Sequence, residues 1–217
     1  MQNEDEFEFV ILRHGYSLGN ILLTLSGQSN VPLLEKGRLQ LLKLKEEYYY
    51  PVCDRNYSSD LDRCVDTFNT IYEGRAQLDG ISKEIREIWF GDLENTPQKN
   101  KEHLLRFFVP WLEGKNVANE ESFEDIAART KGFLIEKLRE LQKDGLQSLL
   151  FATHSVSARV LLISLGAFQK EEFAHIEIGN GKGFVLKLSF DGKEVKVLQI
   201  RPLPLPKSEE VLRKQDA

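Results

Sequence analysis

The chain has 217 residues, 41% hydrophobic and 29% charged, a balance that fits one globular domain with a substantial core and excludes a disordered chain. Its formal net charge of -5 at pH 7 argues against general nucleic-acid binding and leaves only a local basic pocket open. Cys53 and Cys64 read as reduced packing residues, and the acidic start Met1-Gln2-Asn3-Glu4-Asp5-Glu6 has no basic region followed by an apolar stretch. The expectation is a cytoplasmic protein with no signal peptide, no membrane span and no disulfide.

Taken in order, Phe7-Glu8-Phe9-Val10-Ile11-Leu12 reads as a buried strand that stops at Arg13-His14-Gly15, with glycine allowing a sharp turn. Ser17 caps a short helix to about Leu25, a loop covers 27–32, and a helix over 35–49 ends at Pro51. A strand over 52–57 leads into a helix from about Asp60 to Gly74. The segment 76–93 is less regular, with a short strand expected around Ile85. Residues 94–119 form a polar insertion over one end of the sheet, with a helix over 98–108. Helical spacing through Phe123, Ile126, Ala127, Phe133, Leu134, Leu138 and Leu141 predicts a helix over 121–144, closed by Gly145.

Leu149-Leu150-Phe151-Ala152-Thr153 is another buried strand, followed by a helix over 157–165. Strands over 183–190 and 194–200 make a hairpin about Asp191-Gly192. The alternation predicts an α/β three-layer sandwich, a mostly parallel central sheet flanked by helices. One domain is expected over 1–200, with a Pro-rich, charged, flexible tail over 201–217.

Ligands of open α/β sheets sit outside the carboxyl ends of the strands, and several junctions here carry groups suited to phosphate chemistry. The first supplies Arg13 and His14, the second, Ser58-Ser59-Asp60-Leu61-Asp62-Arg63, supplies Arg63, and a third supplies Thr153-His154-Ser155. Ile85-Arg86-Glu87-Ile88 adds an acid. An imidazole attacks phosphorus at neutral pH, and guanidinium groups hold the phosphate oxygens meanwhile. Singly, each residue has an ordinary reading: Arg63 as a surface ion-pairing residue, His154 as a hydrogen-bonded strand end, Glu87 as one of a run of solvated charges, Asn20 as a helix cap. Their convergence at one sheet edge favours a site.

The sequence resembles the histidine phosphatase superfamily, also called the phosphoglycerate mutase-like family. The matching segments are Leu12-Arg13-His14-Gly15 with Ser17 and Asn20, Ser26-Gly27 leading to Val31-Pro32-Leu33, and Glu35-Lys36-Gly37-Arg38. They continue through Ser58 to Arg63, Ile85-Arg86-Glu87-Ile88 with Gly91, Glu121-Ser122-Phe123 and Thr153-His154-Ser155. The resemblance implies that His14 is the nucleophile, forming a phosphohistidine. It assigns Arg13, Arg63 and His154 to the phosphate pocket, adds Asn20 and the backbone at Ser26, Gly27 and Ser155, and makes Glu87 the proton donor.

The activity it implies is a phosphomonoesterase that needs no metal or other cofactor and acts on a small phosphorylated metabolite. A phosphoglycerate mutase-type phosphotransferase is the alternative, and a catalytically silent phosphate-binding module a more distant one. Hydrolysis is favoured because the insertion holds only Arg106 and no Arg-Arg pair, and because Ile88-Trp89-Phe90 departs from the mutase Arg-His-Tyr. A metal set of His14, His154 and Glu87 is disfavoured by the neighbouring Arg13 and Arg63. The insertion residues Trp89, Phe90, His103, Arg106, Phe107, Phe108 and Trp111 are expected either to choose the substrate or simply to pack on the sheet. Asn30, Ser155 and Cys64 stand where the family often has aspartate, glycine and alanine. No nucleic-acid or membrane partner is expected, and a homodimer is left open.

Overall fold

Strand β1 (Asp5–Arg13) buries both of its faces, and so divides the molecule into layers. Phe7, Phe9 and Ile11 face a core completed by Leu134, Leu138 and Leu141 of α5 (Phe123–Asp144) and by Ala158 and Leu161 of α6 (Ser155–Ser164). Val10 and Leu12, one residue out of step, face a second core. It contains Leu41 of α2 (Glu35–Glu47) and Phe68 and Ile71 of α3 (Asp62–Tyr72). The two-residue period of a strand is the reason one hydrophobic run serves two cores.

This computed structural model describes residues 5–97 and 101–210. The expected helix start at Gln98, the tail beyond 210 and the side chain of His103 lie outside the described residues. The remaining elements are α1 (Leu18–Leu22), β2 (Arg55–Ser59), β3 (Gly80–Ser82), α4 (Lys101–Leu112), β4 (Ser148–Thr153), β5 (Gly183–Phe190) and β6 (Val195–Leu203). The six-stranded sheet has the order β3-β2-β4-β1-β5-β6. Pairings from β3 to β1 are parallel, and those of β5 with β1 and β6 are antiparallel. The three-layer, mostly parallel expectation stands. Among the described residues no helix is long and apolar enough to cross a membrane.

Several expectations are corrected. Ile85 lies in a 3-10 turn (Lys83–Ile85) and not in a strand; the short strand is β3, just before it. Helix α6 begins at Ser155, two residues early, because His154 takes the extended N-cap conformation. This shift decides much of the site chemistry. Residues 201–205 are no flexible tail: β6 runs through Leu203, Leu205 bridges Tyr49, and both leucines are buried in the second core. At a sheet edge the missing N–H of Pro202 leaves no inner ladder bond unmade. Gly15 does not make a left-handed turn; a Cβ there would come within 2.8 Å of a Leu41 methyl and 2.9 Å of a Leu33 methyl, so it is close packing and not backbone conformation that favours glycine.

Candidate active site

At the carboxyl ends of β1 and β4, a cavity of about 280 Å³ opens between α1, α4 and α6. Arg13, His14, Asn20, Ser26, Gly27, Arg63, Glu87 and Ser155 all line it, so eight of the nine residues singled out from sequence meet there. The ninth, His154, is fully buried behind His14, with ring centroids 5.2 Å apart, and forms none of the cavity wall.

His14 is fixed by its own chain. Its Nδ1 lies 2.7 Å from the Gly15 carbonyl, which can only accept, so Nδ1 carries the proton and Nε2 keeps the lone pair. The Gly15 amide donates to Thr67 Oγ1 at 2.8 Å, and Asn180 Nδ2 donates to the His14 carbonyl at 3.1 Å. Burial, followed by the Arg63 and Arg13 charges, pushes the His14 pKa well below the usual histidine value. His14 is therefore neutral at neutral pH.

The cations are held by carbonyls. Arg13 Nη1 donates to Ile178 O at 2.6 Å, while Arg63 donates to Ser29 O at 2.8 Å and Gly27 O at 2.7 Å. Burial lowers the Arg13 pKa to about 10, with Arg159 and Arg63 adding repulsion that Glu87 partly offsets, so the group stays charged at neutral pH. Arg13 Nε is buried with no hydrogen-bond partner, an open donor of the kind that an anion site leaves.

Glu87 meets the early start of α6. Its Oε2 accepts the Ser155 amide at 3.0 Å, and its Oε1 accepts the amides of Val156 and Ser157 at 3.0 Å each. These are the orphan donors of a helix N-terminus, where the helix dipole also favours negative charge. Arg129 in turn donates to the carbonyls of Glu84, Arg86 and Glu87 and pairs with Glu121, clamping the loop that carries Glu87. Glu87 thus faces α6 and forms no joint ligand set with the two histidines.

A family profile described as the histidine phosphatase superfamily (branch 1) matches residues 9–201. The chain belongs to that superfamily. A 2,3-bisphosphoglycerate-dependent phosphoglycerate mutase 2 of Gloeobacter violaceus is 29% identical over 94% of this chain and 98% of its own length. An adenosylcobalamin/alpha-ribazole phosphatase of Salmonella typhimurium is 26% identical over 90% of this chain and 98% of its own. The fold is similar to that of a phosphoglycerate mutase from Bacillus anthracis, with TM-score 0.71 and 21% identity over 90% of this chain and 93% of that one. Superfamily membership makes this chain an enzyme of the phosphoric monoester hydrolase type.

Within this histidine phosphatase, His154 differs from expectation in place. Burial first, then Arg63 and His14, hold its pKa well below the usual value, so the ring is neutral at neutral pH. Its Nε2 lies 2.9 Å from Ser59 Oγ and 3.3 Å from Cys64 Sγ. Cys64 also donates to Thr153 O at 3.3 Å, and both cysteines are free and buried.

The departures from the family pattern have local partners. Asn30 Oδ1 accepts the Asp62 amide at 2.9 Å while its Nδ2 donates to the Asp62 carboxylate at 2.9 Å; an aspartate there would face Asp62 with like charge. Ser155 Oγ accepts from Arg159 Nη1 at 2.5 Å.

Arg159 is the cavity-lining cation that the sequence reading missed. It also donates to Ile176 O at 2.8 Å. Its signal was available as the residue one helical turn after Ser155, once α6 is started in the right place. Arg129 carried no such signal, because its loop contacts come from residues 84–87, far away in sequence.

The insertion divides. Phe107 and Trp111 pack inward, with Trp111 Nε1 donating to Glu121 O at 2.9 Å, while Phe90 and Phe108 face the cavity. Trp89 is 47% exposed and stands outside the cavity. Arg106 is exposed and paired with Glu102, so it supplies no anion contact.

Proposed function

We propose that this enzyme hydrolyses a small phosphate monoester through a phosphohistidine on His14. The observation that carries the reading is a neutral His14, with Nδ1 tied to the Gly15 carbonyl, on a cavity wall shared with Arg13, Arg63 and Arg159. The lone pair on Nε2 attacks phosphorus, and the bond from phosphorus to the alcohol oxygen breaks. Phosphoryl transfer is mainly positioning and charge stabilisation, which the guanidinium groups provide at the equatorial oxygens.

Glu87 delivers a proton to the departing alkoxide, then takes one from the water that cleaves the phosphorus–nitrogen bond. Inorganic phosphate leaves and His14 is neutral again. His154, itself neutral, packs against the His14 ring and fixes its plane. No step calls on a metal.

Hydrolysis is favoured over return of the phosphoryl group to a second hydroxyl. A phosphoglycerate carries a second anion, and Arg106, the arginine of the insertion, points to solvent. The decisive experiment is trapping of labelled phosphoenzyme in an alkaline denaturing quench, where a phosphohistidine is stable, followed by loss of the label in acid. Wild type is expected to label and His14→Ala to give none; equal labelling of the variant would end the proposal.

A further inference from the structure

Resting on that reading, we infer that the natural substrate is the phosphate monoester of an apolar alcohol long enough to leave the cavity. The lining of the cavity is of two chemical kinds, and its apolar members pack in one cluster. Arg13, His14, Arg63, Glu87, Ser155 and Arg159 form the ionic part. Leu25, Phe90, Leu104, Phe108 and Val156 form the other, and among the described residues no cation stands on that wall. A carboxylate or second phosphate on the alcohol would be desolvated there without a partner.

The apolar wall belongs to a built core. Leu25, Phe90 and Val156 are buried in the same cluster as Phe107 and Trp111, and Phe108 rings lie 5.0 Å from Phe107 and 5.7 Å from Trp111. The wall is therefore preformed. A pocket of this kind binds apolar groups without first having to collapse.

The apolar surface continues outside. Between Asn20 and Thr24, both on the cavity wall, Ile21, Leu22 and Leu23 are exposed at 51%, 57% and 60%. Leu23 also takes a left-handed backbone conformation, φ 50°, which leucine seldom adopts. Leu105, next to the lining Leu104, is 40% exposed. Three consecutive exposed aliphatic side chains are a fault in a soluble surface unless they have a use. An alkyl or isoprenoid-like chain leaving the mouth would cover them.

The test is kcat/KM for n-alkyl phosphates from methyl upward, each below its micelle concentration, beside 3-phosphoglycerate. The value is expected to rise with chain length, by about tenfold or more from methyl to hexyl, and to exceed that for 3-phosphoglycerate. Leu22→Asp, at an exposed position, is expected to flatten the long-chain end of the series. Leu104→Lys is expected to shift the ratio toward 3-phosphoglycerate. A flat or falling series with phosphoenzyme still trapped overturns the substrate class alone, whereas failure to trap phosphoenzyme from any monoester overturns the phosphatase reading.

Discussion

Glu87 and Ser155, 68 residues apart in sequence, are bonded directly: the carboxylate Oε2 accepts the Ser155 amide at 3.0 Å. The candidate acid thus occupies a backbone donor at the very place where a phosphate oxygen would look for one. A protonated carboxyl accepts fewer bonds than a carboxylate, so Glu87 becomes a donor only as it gives up an amide. Substrate phosphate taking that amide would couple binding to the proton transfer.

Replacing Glu87 by Gln separates the two jobs. Hydrolysis of alkyl phosphates is expected to slow by about 10²–10⁴-fold and that of activated aryl phosphates far less. The amide NH₂ also faces helix donors, so unfolding stability should drop by about 1–3 kcal/mol in urea titration. Equal slowing of both substrates would remove Glu87 from the acid role.

Arg159→Met removes a half-buried cation from the cavity and frees Ser155 Oγ. Charge-assisted bonds are worth about 1.5–3 kcal/mol, so kcat/KM should fall by about tenfold to a hundredfold. Inorganic phosphate inhibition should weaken in parallel. Unchanged inhibition would show that the guanidinium only braces the Ile176 carbonyl.

Arg129→Gln tests the clamp on the Glu87 loop. Arg129 and Glu121 are largely buried, at 14% and 15% side-chain exposure, and breaking such a pair is costly. Stability is expected to fall by about 2–4 kcal/mol. The rate on alkyl phosphates should fall more than that on aryl phosphates, because the loop positions Glu87. A variant slowed equally on both would confine Arg129 to folding.

Stability should depend on pH through His14 and His154. Both are held neutral in the folded protein, with pKa values well below the 6.5 of a free histidine. Below that unfolded value the unfolded chain binds protons that the native state refuses. Stability is therefore full above pH 6.5 and declines as pH falls toward the depressed folded values. Each ring adds a slope of up to about 1.4 kcal/mol per pH unit. Denaturant titrations from about pH 7.5 to about pH 5.5 should show the loss, and His154→Gln should reduce the slope. A pH-independent midpoint across that window would contradict neutral burial of the rings.

Much of the fold was legible locally. Phe7 to Leu12 and Leu149 to Ala152 announce buried strands by composition alone. Helical spacing from Phe123 to Leu141 and the stop at Gly145 mark α5, where Gly145 closes the helix at φ 71°. The hairpin turn at Asp191-Gly192 is likewise local, with Asp191 Oδ1 accepting the Lys193 and Glu194 amides. Elements failed where local preference was weak: the polar end of α6 at Ser155, the 3-10 turn at Ile85, and the proline-rich end of β6.

By itself the sequence determined which chemistry-bearing residues end the strands, because strand runs and their polar stops are written within a few neighbours. Tertiary structure alone decided that His154 stays behind His14 and that Glu87 seats on the α6 amides. These outcomes depend on contacts between segments far apart in the chain, where the burial of one group sets the charge and hydrogen bonding of another.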